Sequence, residues 1–158
     1  MRLRVRSSDP EDVATLAPRL RCIDRQEIEA VSPLAPADAL RAWCAHSRPA
    51  NTIVDTHGEV VGMFGVVPDR DVERTRAGQI WLLGSDAIAR AGTVVARAGV
   101  HWIQRFHADY RILWNHIDVR NESYVRCLLW WGFTIVRRVE AFGREGRPFY
   151  LFRRDAGE

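Results

Sequence analysis

The stretch Arg111–Phe133, RILWNHIDVRNESYVRCLLWWGF, decides how the rest of the chain is arranged. It opens on an apolar run, Ile112-Leu113-Trp114, which Asn115 breaks and Ile117 and Val119 resume. Asn121 follows, a residue type favoured at helix N-caps because its side-chain oxygen accepts from the free amides of the first turn. Gly132 stands eleven residues further on. It marks the helix end, since glycine enters the left-handed C′ conformation without a steric penalty. Phe133 then starts another apolar run. The pattern is strand, capped helix, glycine stop and strand.

Upstream, Ile80-Trp81-Leu82-Leu83 is an apolar run of the kind that lies in the middle of a sheet. Ser85 and Asp86 supply a cap and a first-turn acid for the helix after it. Ile88, Ala91, Val95, Ala98, Trp102 and Phe106 step by three or four along that helix. Gly92-Thr93 can divide it, with Thr93 capping the second piece. Before the run, Thr52-Ile53-Val54 and Val60–Val67 form a hairpin about the His57-Gly58 turn, and Pro68–Gly78 reads as a polar loop. At the N-terminus, Leu3 and Val5 alternate with arginines as a short strand. Ser8-Asp9-Pro10-Glu11-Asp12 starts a helix whose apolar face takes in Val13, Leu16 and Leu20, with Ile23, Ile28 and Val31 extending it. Ala37–Ala45 is a further short helix. Downstream, Phe133–Phe142 and Phe149–Phe152 close the chain as a hairpin. The expected order is β-α-α(-α)-β-β-β-α-β-α-β-β in a single domain over residues 1–158, of the α/β (α+β) class.

A chain of 158 residues with 47% hydrophobic and 27% charged residues has the composition of an ordinary globular protein. No apolar run approaches the roughly 20 residues of a membrane span, so no membrane partner is expected and the cytoplasm is the expected compartment. All 23 basic residues are arginine, and the net charge is only +3. The arginines are scattered rather than gathered in a stripe, so no nucleic-acid partner is expected. Cys22, Cys44 and Cys127 form no paired motif and read as buried free thiols. The five histidines fall at no metal-ligand spacing, and no metal is expected. No nucleophile elbow, P-loop or dinucleotide fingerprint occurs.

The element order, and the Asn121–Gly132-Phe133 spacing above all, resembles the GNAT superfamily of N-acetyltransferases. Within the chain, QIWLLGSDAIAR and RILWNHIDVRNESYVRCLLWWGF, followed by FYLF, are also similar to the internal virion protein A family of short-tailed phages. Trp81, Ser85, Asp86, Leu113, Trp114, Asn115 and Asn121 carry that likeness.

The GNAT resemblance implies a mixed, twisted sheet of about six to seven strands, flanked by helices, with two central parallel strands that splay apart. It implies acetyl-CoA as cofactor, held in the splay by Leu82, Leu83, Gly84, Ser85, Asn115 and Asn121, and an acyl-CoA-dependent N-acyltransferase activity. Asp86 is the expected general base at the end of the central strand, with the first-turn acid of a helix as its other reading. Asp118, Glu122 and His116 are the remaining candidates. Tyr124 is the expected proton donor or, alternatively, a packing residue. Two departures stand out. The family's glycine-rich diphosphate loop is replaced by Gly84-Ser85-Asp86-Ala87-Ile88-Ala89-Arg90, and the helix position of its tyrosine holds Leu128. Asn115, in an apolar strand, must bond to the splayed backbone, to Asn121 or to a ligand, because a buried amide left unpaired costs about 1–3 kcal/mol. The phage likeness implies a catalytically inactive protein that acts in virion assembly through phage structural proteins or self-association, in the host cytoplasm and the particle. Of Trp130 and Trp131, about 100° apart on a helix, one can face the core while the other faces a partner.

Overall fold

A computed structural model describes residues 1–157. Seven strands form one sheet: β1 (Arg4–Ser7), β2 (Ala50–Val54), β3 (Val60–Pro68), β4 (Ala77–Gly84), β5 (Ile112–Asp118), β6 (Thr134–Phe142) and β7 (Arg147–Asp155), in the spatial order β1-β2-β3-β4-β5-β7-β6. Every neighbouring pair is antiparallel except β4 and β5, which are parallel. The helices are α1 (Pro10–Leu16), α2 (Cys22–Val31), α3 (Pro36–His46), α4 (Val72–Thr75), α5 (Asp86–Arg90), α6 (Gly92–Phe106) and α7 (Glu122–Trp130).

Alternation along the strands sends side chains to two cores. Met63, Trp81 and Leu83 pack with Val13, Leu16, Ile28 and Leu40 of α1–α3 on one face. Phe64, Val66 and Ile80 pack with Ile103 and Phe106 of α6, Leu128 of α7 and Trp131 just after it on the other. The N-terminal end is tied by Asp12, whose carboxylate takes two 2.8 Å bonds from Arg6 of β1, one of 2.7 Å from Thr52 of β2 and one of 2.8 Å from the Asp9 amide. Asp9 and Asp12 cap α1 reciprocally.

Local expectations met the three-dimensional chain in different ways. Gly132 ends α7 at φ +85°, and the amides of Gly132 and Phe133 bond back to Leu129 and Leu128 at 3.1 and 3.0 Å, the Schellman pattern. Trp131 is buried and Trp130 is 61% exposed. The first helical face is not continuous: Pro18 lies in a single 3₁₀ turn, Ala17–Arg19, and α2 starts afresh at Cys22. The polar loop after β3 contains the one-turn helix α4. The long helix does divide, but at Ala91, with no side-chain cap, so Thr93 is a first-turn residue. The cysteines are free, yet Cys22 is exposed and the other two are half-buried, so the expectation of burial fails where α2 turns Cys22 outward.

Candidate functional site

The parallel ladder between β4 and β5 is short. It pairs Ala77 with Ile112, Gly78 with Leu113 and Gln79 with Trp114, and there it ends. Beyond Gln79 and Trp114 the strands diverge into a fork, while their outer edges stay paired, β4 on β3 and β5 on β7. The expected splay of the two central strands is therefore present.

An open fork raises an accounting question, because buried backbone groups need partners. Asn115 bridges its base: Nδ2 donates to the Ile80 carbonyl at 2.9 Å, and Oδ1 accepts from the His116 amide at 2.8 Å. Of the partners open to Asn115, the splayed backbone is the one it takes. At the far end α2 supplies two carboxylates one turn apart. Asp24 Oδ2 accepts from the Gly84 amide on β4 at 2.9 Å, and Glu27 Oε1 accepts from the Asp118 amide on β5 at 2.7 Å. The Arg21 amide donates to the Gly84 carbonyl at 2.9 Å, and Leu20 bridges to Ser85. Residues 80, 82 and 84 point to the same strand edge. Ile80 and Gly84 are engaged there. Leu82, between them, has a free N–H and C=O facing the fork, since the β5 register stops short of it.

Three cavities meet at this point, and Leu82 and Tyr124 line all of them. The largest, about 490 Å³, is a cleft walled by α2, α3, β4, β5 and Phe142. A second, about 110 Å³, is apolar and lies under α6 and α7. The third, about 120 Å³, runs past Arg21, Asp24 and Gly92. Tyr124 packs edge-to-face on Trp131 with centroids 6.0 Å apart. Burial, reinforced by Glu27 and Asp24, pushes its phenol well above the ordinary range, so it stays a neutral hydroxyl.

The carboxylates around the fork differ in what they have left to offer. Asp24 is paired with Arg21 at 2.9 Å, besides holding Gly84. Asp118 is buried and takes Arg120 at 2.6 Å. Glu27 has no ion-pair partner among the described residues, and its Oε2 has no hydrogen bond. Burial, followed by the charges of Asp24 and Asp118, raises its carboxyl from 4.5 to about 8, against the opposing pull of the Asp118 amide and Arg21. His116 also lines the cleft, stacked on Phe142 at 4.1 Å. Its burial, with Arg137 nearby, lowers its imidazole below the ordinary value, so the ring is neutral at pH 7.

The residues expected from sequence are only partly brought together. Leu82, Asn115 and Tyr124 meet at the fork, and Leu83 lines the cleft from β4. Gly84 stands at the fork's end, where the Ile88 side chain would lie 2.6 Å from an added Cβ. Its amide is already held by Asp24. Ser85 does not cap α5; its hydroxyl and amide both bond to the Val61 carbonyl, at 3.3 and 2.9 Å. Asp86 is exposed on the first turn of α5 and lines none of the three cavities. Asn121 occupies the N-cap position of α7 without making the capping bond. It is buried, and both of its side-chain polar atoms lack a partner. Glu122 is exposed, and Leu128 is fully buried core. Glu27 and Asp24 were missed. Their signal was present, because each stands four residues before a residue of the apolar stripe, Ile28 and Val31. Acids inside a buried face call for a partner.

Solved structures share this architecture. A phosphinothricin acetyltransferase from Sinorhizobium meliloti, determined with AcCoA, superposes with a TM-score of 0.73 at 19% identity, over 100% of this chain and 90% of that one. The fold is the GNAT acetyltransferase fold. A GNAT protein from Kribbella flavida matches at a TM-score of 0.72 and 20% identity, over 97% of each chain. The Vibrio cholerae spermidine N-acetyltransferase, determined with CoA and spermine, matches at 0.69 and 15%, over 97% of this chain and 95% of that one. No protein-family model and no curated protein matches the sequence.

The fork offers an extended chain a strand edge but an anion no loop. Leu82 offers one donor and one acceptor to an extended chain, as a strand edge does. After Gly84 there is no glycine-rich loop, and α5 intervenes with Asp86 at its start. The first α6 amide to bond back is Val95, onto Ala91 at 3.0 Å. Those of Gly92, Thr93 and Val94 belong to the open first turn of a 15-residue helix.

Proposed function

We propose that this protein is an acyl-CoA-dependent N-acyltransferase whose donor lies in the β4–β5 fork and whose acceptor enters the cleft beside it. The carrying observation is the unengaged backbone of Leu82, which together with Tyr124 lines all three cavities. When bound, acetyl-CoA supplies a thioester. The Leu82 N–H and C=O would orient the pantetheine arm like an added strand. Asn115 holds the fork open at a fixed width. Tyr124, kept neutral, presents a hydroxyl donor and surrenders its proton reluctantly. The diphosphate would rest on the Gly92–Val94 amides rather than on the family's loop, which makes the cofactor loop a degenerate one.

Calorimetric titration with acetyl-CoA tests this. The expected result is a single-site heat together with a rise in melting temperature that grows with ligand concentration. Absence of both heat and thermal shift at high protein concentration would refute it.

A second reading follows from the phage likeness: a catalytically inactive GNAT-fold protein serving virion assembly. Two observations favour it. Asp24 already occupies the Gly84 amide, and Leu129, Trp130 and Val136 are large apolar side chains left more than half exposed. Aromatic side chains are favoured interface anchors. It expects a structural protein to co-purify with the chain from infected cells, and a lone monomer there counts against it.

A further inference from the structure

The cleft carries more information than the acyltransferase reading uses. Its lining includes one acid, Glu27, and no arginine, in a chain with 23 of them. The other polar side chains on its wall, Ser32, Gln79, Asn115, His116 and Tyr124, carry no charge at pH 7. The rest is apolar, with indole rings from three directions. The Trp81 Nε1 donates to Ser47 at 2.8 Å, and the Trp114 Nε1 donates to Asp69 at 3.0 Å. These two rings therefore have their polar edges engaged elsewhere and offer a ligand apolar surface.

We infer that the cleft binds a small primary monoamine carried on an aromatic or alkyl body, with its ammonium group on Glu27 Oε2 and its body against Trp43, Trp81, Trp114 and Phe142. The inference rests on the acyltransferase reading for its purpose, since the amine would be the acceptor, but not for the binding itself. Three features limit the class. A bound ammonium favours the ionised form of Glu27, which then gives up its proton to solvent; that one carboxylate matches one positive charge, so a polyamine would leave charges in an apolar wall at a cost. No arginine waits for a carboxylate or phosphate, so an amino acid would bury an unpaired anion. A cavity of about 490 Å³ suits a small molecule.

Glu27 is also placed to act on the amine. Its Oε1 is anchored by the Asp118 amide, so Oε2 is the oxygen that can take a proton. Once Glu27 has released its own proton to solvent, the ammonium nitrogen passes a proton to Oε2 and keeps the lone pair. A carboxyl raised toward neutrality is suited to that exchange. The charged or titratable groups around it are Arg21 and Asp24 from its own segment, Asp118, Arg120 and His116 from β5 and the turn after it, and Tyr124 from α7.

The test is a titration of the full chain, without acetyl-CoA, with four probes: 2-phenylethylamine, 2-phenylethanol, phenylalanine and spermidine. Binding is followed by amide chemical shifts at Glu27, Asn115 and His116. The amine is expected to bind at least tenfold more tightly than each of the other three. Glu27→Gln is expected to weaken the amine tenfold or more and to leave the alcohol unchanged. Phenylalanine or spermidine binding as well as the amine overturns the inference, as does an unchanged amine affinity in Glu27→Gln. The wild-type ligand series stands by itself if that variant folds poorly. A parallel acetyl-CoA titration separates the two claims. Amine binding with no acetyl-CoA binding sinks the acyltransferase reading alone, and acetyl-CoA binding with no amine preference sinks only the inference.

Discussion

Replacing Asn115 with alanine should close or loosen the fork, and its cost can be worked from the bonds it makes. The side chain donates to the Ile80 carbonyl at 2.9 Å and accepts from the His116 amide at 2.8 Å. Asn115→Ala leaves both backbone groups without that partner in a half-buried setting. A buried group left unsatisfied costs about 1–3 kcal/mol. Water entering from the cleft recovers part of that, so the two groups together should cost about 2 kcal/mol. For a chain of this size each kcal/mol moves the melting temperature by about 2–4 °C, so the shift should be about 4–8 °C downward. Urea titration is the assay, with the midpoint falling and the slope unchanged. The same variant should bind acetyl-CoA more weakly, because Leu82 no longer faces a gap of fixed width. A loss under about 0.5 kcal/mol, of the size of an ordinary surface substitution, would refute the idea that Asn115 braces the fork.

Other perturbations report on neighbouring parts. Glu27 keeps its proton in the folded state up to about 8, whereas the unfolded chain releases it in the ordinary carboxylate range. The native state thus binds more protons in that window, and stability should fall as pH rises through it. Glu27→Gln should flatten the slope; an unchanged slope in chemical denaturation across that range would contradict the assignment. His116 works in the opposite sense below its ordinary value and cancels in the comparison of the two proteins. Gly99→Ala would place a Cβ 2.4–2.6 Å from the Trp131 indole. The ring must then shift from its 2.8 Å bond to the Ala96 carbonyl, with about 1–3 kcal/mol lost to overpacking. Leu128→Tyr, which places at a fully buried site the tyrosine that the GNAT resemblance implies, should destabilise and add no activity. A gain in acetyl transfer would show that the site was waiting for a phenol.

The fold was legible because its marks are local. Asn121, Gly132 and Phe133 bracket one helix, and the apolar runs of β4 and β5 announce buried strands on either side of α5 and α6. The site was less legible because its bonds are not local. Asn121 has the residue type of a cap, yet its side chain is buried away from the amides it was expected to receive. Ser85 has the same look and spends its hydroxyl on β3. Asp86 reads as the acid nearest the strand end, but the first turn of α5 points it to solvent. The acids that reach the fork come from α2, sixty residues before Gly84 in the case of Asp24. They arrive there because Leu20 and Arg21 are stitched to the end of β4. Nothing in the spacing of α2 alone marks that meeting; the only local sign is a pair of carboxylates within a buried stripe.

Donor binding in the fork depends on the free backbone of Leu82. The most direct measurement is an amide-resolved titration of the protein with acetyl-CoA. The Leu82 amide should shift and saturate, followed by Gly92–Val94, while the Gly84 amide, held by Asp24, moves less. If saturating acetyl-CoA leaves the Leu82 amide where it was, the fork does not hold the donor and the proposed function is wrong.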